Sequence, residues 1–92
     1  MSGFIVVWSD DNYIIPYGWN ADCDGAIESW DGSGPVAAFP DRKAAQKAIR
    51  ISAALAKLNE AQGKPGNTDF TKDREHVRVV PLWDGTDRRA VN

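Results

Sequence analysis

The sequence predicts an α+β fold: a small antiparallel sheet with one long helix packed on a face. The sheet is expected to contain a hairpin, one or two short strands and a C-terminal strand. Three observations predict it: two β-type runs flank a polar turn near the N-terminus, one long helical pattern follows, and a last β-type run comes after that helix. A helix laid across one sheet face buries an apolar side of each element with the fewest assumptions.

The first two strands are predicted to form a hairpin. Residues 3–9 have a β-type composition, and the side chains expected on each of the two faces of the strand are apolar. This indicates a central strand or one covered on both faces. Residues 9–12 are a polar turn cluster. Residues 13–17 resume the β-type composition, and Pro16, which has no N–H for a ladder, predicts that this strand is an edge strand or ends there.

Two short strands are predicted next, at 26–30 and 36–39, within a Gly-rich and acidic region. The clearest element is a helix over 41–62, where Asp41 is a good N-cap and Gly63 with the following proline is a stop signal. Its apolar stripe is expected to consist of residues at alternating four- and three-residue spacing: Ala44, Ala48, Ile51, Leu55 and Leu58.

The remainder is predicted as a polar loop over 63–75, with Phe70 its one large apolar residue, and a final strand over 76–83. Residues 84–92 are expected to be a flexible C-terminal tail. The 92 residues fit one domain over 1–83, because a chain this short cannot build two cores.

Composition limits the cellular setting. No apolar run approaches the ~18 residues of a membrane span. The apolar stretch 4–8 is too short for a signal-peptide core and has no basic residues before it. Cys23 is the single cysteine, so no internal disulfide can form, which fits a reducing compartment. We therefore expect a cytoplasmic protein that does not bind membranes.

Charge is divided unevenly along the chain. Residues 1–40 hold six acidic residues and no Lys or Arg, whereas residues 41–92 hold all 11 basic residues and seven acidic ones. The first half therefore carries −6 and the second +4, which together give the net charge of −2. An acidic half repels nucleic-acid phosphates and attracts a basic protein groove. The alternative is ordinary solubility with uneven charge placement.

Tryptophan is abundant for a chain of this size, with four in 92 residues. One small sheet and one helix can hardly bury all four rings together with the other aromatic residues. Exposed aromatic rings among charges are typical of a protein-binding hot spot. The alternative is that the rings cover the open end of the sheet. The predicted partner-binding patch combines two indoles with the carboxylates around them: Trp19, Asp22, Asp24, Glu28, Trp30 and Asp31.

Residues 20–31 resemble the twelve-residue calcium loop of EF-hand proteins. Oxygen-bearing side chains stand at positions one, three and five, glycine at six, and acidic residues at nine and twelve: Asn20, Asp22, Asp24, Gly25, Glu28 and Asp31. Position one is Asn rather than Asp, position twelve is the shorter Asp, and the flanking residues do not form a helical pattern. A calcium-binding module is therefore the alternative function, and no cofactor or metal is expected under the main interpretation.

Catalysis has little support in the sequence, and we expect no enzymatic activity and no catalytic residue. Cys23 lies among carboxylates, which disfavour a thiolate, and His76 is the only histidine. The Asp41-x-Lys43 triplet of some nucleases opens a helix here, where Asp41 is better explained as a cap. Residues 32–34 make a poor phosphate loop, because a proline follows them.

We do not expect nucleic acid to be a partner. Four basic residues lie together on the helix side away from the predicted stripe: Lys43, Lys47, Arg50 and Lys57. No aromatic platform is interleaved with them, and the acidic first half opposes phosphate binding.

The overall layout resembles the small accessory proteins of bacteriophages and prophages. The resemblance is carried by the run 38–40, by alanines at 44 and 48 in a helix, and by the strand 77–82. Small size, acidic balance and the lack of an enzyme signature are similar to anti-CRISPR and other anti-defence proteins. This resemblance implies a stoichiometric inhibitor in the host cytoplasm whose acidic patch occupies a basic, nucleic-acid-binding surface of a defence complex.

Overall fold

Four antiparallel strands and one helix across one face form the fold of residues 3–82, the part of the chain that the computed structural model describes. The strands, in the spatial order β3-β2-β1-β4, and the helix have these bounds: β1 Phe4–Ser9, β2 Ile14–Trp19, β3 Ile27–Ser29, α1 Arg42–Ala61 and β4 Val77–Pro81. The α+β prediction is confirmed. The predicted tail 84–92 lies outside the described residues. No helix within residues 3–82 is long and apolar enough to cross a membrane.

The hairpin prediction is confirmed, but the prediction for Pro16 is wrong. β2 lies between β1 and β3 and continues past Pro16 to Trp19, so it neither ends there nor forms an edge. Trp30 N–H donates to the Pro16 carbonyl at 3.0 Å, and Pro16 has no N–H to return the bond. The proline therefore ends the pairing of β2 with β3, and the predicted strand 26–30 is shortened to Ile27–Ser29.

The predicted strand 36–39 is also wrong. Only Phe39 is paired, through an isolated bridge in which it exchanges two 2.8 Å backbone hydrogen bonds with Phe4. Two residues earlier, Ala37 N–H donates to the Tyr17 carbonyl at 3.0 Å. This segment therefore bonds to β1 at one residue and to β2 at another, and it has no continuous partner with which to form a strand.

The helix has the predicted ends. Asp41 Oδ1 accepts a 2.8 Å hydrogen bond from Ala44 N–H at the N-terminus, and Gly63, with a φ of 75°, follows the last turn. The predicted stripe is only partly correct, because Leu58 is 53% exposed. The residues that are buried are small for the most part: Ala45, Ala48, Ile49, Ser52 and Ala56.

The sheet explains this choice of helix face. The sheet presents large side chains to the helix, among them Tyr17, Ile27 and Val6, all at most 2% exposed. A face of small residues lets the backbone of the helix come close to such a surface. The large side chains of the sheet then fill the space between the two elements without voids. The helix is thus rotated so that its alanines, rather than its leucines, meet the sheet.

The loop 63–75 contributes to the core. It contains a 3-10 turn at Thr68–Phe70, and a second turn at Arg74–His76 begins at its end. Phe70 is 3% exposed, and its ring centroid lies 5.3 Å from that of Tyr17. Gly66 approaches the helix so closely that a Cβ at this position would lie 2.6 Å from the Ala56 carbonyl oxygen. The loop then leads into β4, as predicted for the final strand.

Candidate functional site

A pocket of about 260 Å³ lies beside the β2–β3 pair and the loop that follows it. Four of the six predicted partner-binding residues line it: Trp19, Glu28, Trp30 and Asp31. The other two, Asp22 and Asp24, are exposed on the connection between β2 and β3 and do not line the pocket. We call this pocket, with its four predicted residues, the acidic indole pocket.

Trp30 is held in place by the loop that follows it. Its Nε1–H is shared between two carbonyl oxygens, at 3.0 Å to Ser33 and 3.1 Å to Gly34. The tight turn needs positive φ values at Gly32 and Gly34, of 92° and 70°. The ring also lies near Gly18, where an added Cβ would be 3.5 Å from Trp30 Cδ1. The indole is therefore fixed before any ligand arrives, and its N–H is already used.

Asp31 is fixed by the same loop. Its Oδ1 accepts hydrogen bonds from Ser33 Oγ at 2.7 Å and from Ser33 N–H at 2.9 Å. These two bonds, the hydroxyl first, lower the pKa of the Asp31 carboxyl below its ordinary value. The group is exposed and negatively charged at neutral pH, so it offers a fixed charge at the pocket mouth.

Trp19 and Glu28 line the pocket from two neighbouring strands. Because Trp19 pairs with Ile27, its indole lies on the helix-facing side of the sheet, opposite Glu28 and Trp30. Trp19 is 48% exposed and packs one side against Phe39, with ring centroids 5.1 Å apart. Glu28 is exposed and pairs in register with Gly18, which has no side chain to fill the adjacent space. The alternative interpretation, in which the rings cover the open end of the sheet, therefore holds for the side of Trp19 that contacts Phe39. The rest of the indole is exposed to solvent.

The calcium-loop resemblance is not matched by a convergence of ligands. Residues 20–26 form a tight hairpin connection, closed by a 3.0 Å bond from Asn20 N–H to the Ala26 carbonyl. Asn20 Oδ1 accepts from Asp22 N–H at 2.8 Å, and Glu28 lies in a strand. Within residues 3–82, no three His, Cys, Asp or Glu side chains are grouped so that they could hold a metal ion.

The two nucleophilic candidates lie at opposite ends of β2. His76 Nδ1 is 3.0 Å from the carbonyl oxygen of Ser9, which pairs with Ile14, the first residue of that strand. Cys23 follows its last residue on the hairpin connection. The arrangement therefore provides no Cys–His pair. Asp41 caps the helix as expected, and the basic helix residues are exposed: Lys43, Lys47, Arg50 and Lys57.

Comparison with protein families, curated proteins and solved structures finds no match to this chain.

The sequence interpretation missed Ser33 and Gly34, which position Trp30 and Asp31. The sequence does contain a local signal for this turn: Asp31 is followed two residues later by Ser33, which lies between two glycines. Such a pattern is typical of a turn in which the carboxylate accepts a hydrogen bond from the backbone.

Proposed function

We propose that this protein is a non-enzymatic interaction module, a phage-type inhibitor of a host defence complex. The observation that carries the proposal is the acidic indole pocket, in which the Trp30 indole lies beside the two carboxylates Glu28 and Asp31. Its partner would be a basic surface that otherwise binds nucleic acid, and it would act in the bacterial cytoplasm. The resemblance to phage accessory proteins supports this setting.

The chemistry of the pocket suits a cationic protein surface. Tryptophan is enriched in binding hot spots, because a rigid ring buries a large area at small entropic cost. Carboxylates at the pocket mouth complement a basic groove and would compete with phosphates for it. In this proposal Asp22 and Asp24, which lie outside the pocket, add to the long-range attraction that speeds encounter.

The test is capture from a bacterial lysate with the tagged protein, followed by displacement with double-stranded DNA. We expect capture of a nucleic-acid-binding complex, and release of the complex by DNA. The variant Glu28→Gln/Asp31→Asn should weaken binding about tenfold or more, as loss of hot-spot contacts does. Its melting temperature should stay close to that of the wild type, because both groups are exposed.

The matched control is Asp11→Asn/Glu75→Gln. Both residues are exposed, and the variant changes the net charge by the same amount at the other end of β2. Equal losses in the two double variants would mean that net charge rather than the pocket drives capture. Full capture by Glu28→Gln/Asp31→Asn, or bound protein that DNA does not displace, would overturn the proposal.

A further inference from the structure

The size of the acidic indole pocket indicates what enters it. At about 260 Å³ it lies below the roughly 300–1,000 Å³ of pockets that hold drug-sized ligands, so it suits a single side chain. We infer that the pocket receives one arginine side chain of the partner. This inference rests on the proposed function and names the chemistry that the site recognises.

The walls favour a group that is both flat and positively charged. Trp30 provides a ring surface, and Glu28 and Asp31 provide negative charge beside it. A guanidinium can stack on an indole and at the same time donate hydrogen bonds to carboxylates. Phosphate or carboxylate ligands would be repelled, and an uncharged apolar group would leave the carboxylates without compensation.

The pocket is also arranged in advance for such a ligand. The Trp30 N–H is already bonded to two carbonyl oxygens, so the ring offers its π surface rather than a donor. Asp31 Oδ1 accepts both bonds from Ser33, which fixes the carboxylate and leaves Oδ2 as the oxygen to accept a bond from a ligand. Groups fixed before binding lose little entropy when the ligand is bound.

Arginine is favoured over lysine for a geometric reason. The ammonium group of lysine is compact and strongly hydrated, and it cannot form parallel hydrogen bonds to a carboxylate while lying flat on a ring. Discrimination between the two cations therefore reports on stacking against the Trp30 indole. Discrimination between arginine and citrulline, its uncharged analogue of nearly the same shape, reports on the carboxylates.

The experiment is an NMR titration of the full chain with N-acetyl-arginine-methylamide, and with the lysine and citrulline analogues. We expect arginine to shift the Trp30 indole N–H and Gly18 amide signals, lysine to bind about threefold or more weakly, and citrulline to cause no saturable shift. Trp30→Leu and Glu28→Gln/Asp31→Asn should each remove the arginine response, whereas Asp11→Asn should retain it. Both pocket carboxylates are exposed, so the double variant keeps the test valid even if Trp30→Leu fails to fold.

Two results would overturn the inference: equal responses to arginine and lysine, or shifts that map to acidic residues outside the pocket. Either result, combined with loss of lysate capture in Glu28→Gln/Asp31→Asn, would leave the proposed function standing. Another pair of results would reject the proposed function and keep the inference about arginine. A specific arginine response with unimpaired capture in that variant would keep the pocket and reject the proposed function.

Discussion

The phenol of Tyr17 donates a 2.7 Å hydrogen bond to Asp69 Oδ2 across 52 residues of sequence. Tyr17 is 1% exposed and lies at the centre of the core on β2, whereas Asp69 belongs to the 3-10 turn at Thr68–Phe70. The turn is itself capped, because Asn67 Oδ1 accepts from Asp69 N–H at 3.0 Å. The polar end of a core residue thus fixes the long loop after the helix to the sheet.

Replacing Tyr17 by Phe tests this bond and its dependence on pH. We expect a loss of about 1.5–3 kcal/mol in the free energy of unfolding at neutral pH, because a hydrogen bond to a charged acceptor is removed. Burial, and then the Asp69 carboxylate, raises the pKa of the Tyr17 phenol well above its ordinary value of 10.0. The phenol therefore ionises more readily in the unfolded chain than in the native protein.

The sign of the pH effect follows from that difference. The contribution of Tyr17 is complete below pH 10, the ordinary pKa of the phenol, and declines as the pH rises above it, by up to about 1.4 kcal/mol per pH unit. Urea unfolding from pH 8 to 11 should accordingly give a shallower decline in Tyr17→Phe than in the wild type. Tyr13→Phe, at a residue 53% exposed, is the control and should follow the wild-type curve. Parallel curves for all three proteins would refute the assignment.

The helix shows which parts of the fold can be predicted from sequence. Its ends agree with the prediction because capping is local: Asp41 and Gly63 act within one turn of their own positions. Its buried face does not agree, because the rotation of a helix depends on the partner surface. Nothing near Ala45 or Leu58 in the sequence indicates that the sheet beneath presents Tyr17 and Ile27.

The site was predictable in composition but not in geometry. Trp30 and Asp31 could be selected because aromatic and acidic residues cluster in the first forty positions. The β2–β3 register, in which Trp19 pairs with Ile27 and Gly18 with Glu28, decides which side chains share a face, and register is a non-local property. Asp22 falls outside the pocket because the chain reverses direction there, which composition does not reveal.

Ser52 connects the helix to β3 through a buried hydroxyl. Ser52 Oγ accepts a 2.9 Å hydrogen bond from Ile27 N–H and donates a 2.7 Å bond to the Ala48 carbonyl. Ser52→Ala would leave the Ile27 N–H buried without an acceptor, and we expect a loss of about 1–3 kcal/mol in the free energy of unfolding. Urea unfolding measures this loss, and faster hydrogen exchange at the Ile27 amide identifies its source.

A control for Ser52→Ala is Gln46→Ala, which shortens an exposed side chain of the same helix. It should change stability by no more than about 0.5 kcal/mol and leave exchange at Ile27 unchanged. If Ser52→Ala also left that exchange rate unchanged, the hydroxyl would not be holding the strand to the helix.

The outer edge of β4 is closed by arginine side chains. The Leu82 N–H donates to the Gly3 carbonyl, so the backbone groups of Leu82 face β1. Because successive residues of a strand alternate in the direction of their backbone groups, those of Val77 and Val79 point away from β1. Arg74 Nη1 donates to the Val77 carbonyl at 3.3 Å, and Arg42 Nη1 donates to the Val79 carbonyl at 3.2 Å. The last residue of the strand is a proline, which has no N–H to offer. An open strand edge would otherwise be a template for pairing with another chain.

Removing both guanidinium groups should therefore promote self-association. Arg42→Ala/Arg74→Ala frees two outward carbonyls, and it removes the Arg42 guanidinium that lies 5.0 Å from the centre of the Phe4 ring, a contact worth about 0.5–1 kcal/mol. We expect sedimentation velocity to show a mean mass that rises with protein concentration more steeply than in the wild type. Arg50→Ala/Lys57→Ala removes two positive charges from exposed helix positions and should match the wild type. Because both variants change net charge equally, association in both would point to charge, whereas association in neither would show that the arginines do not protect this edge.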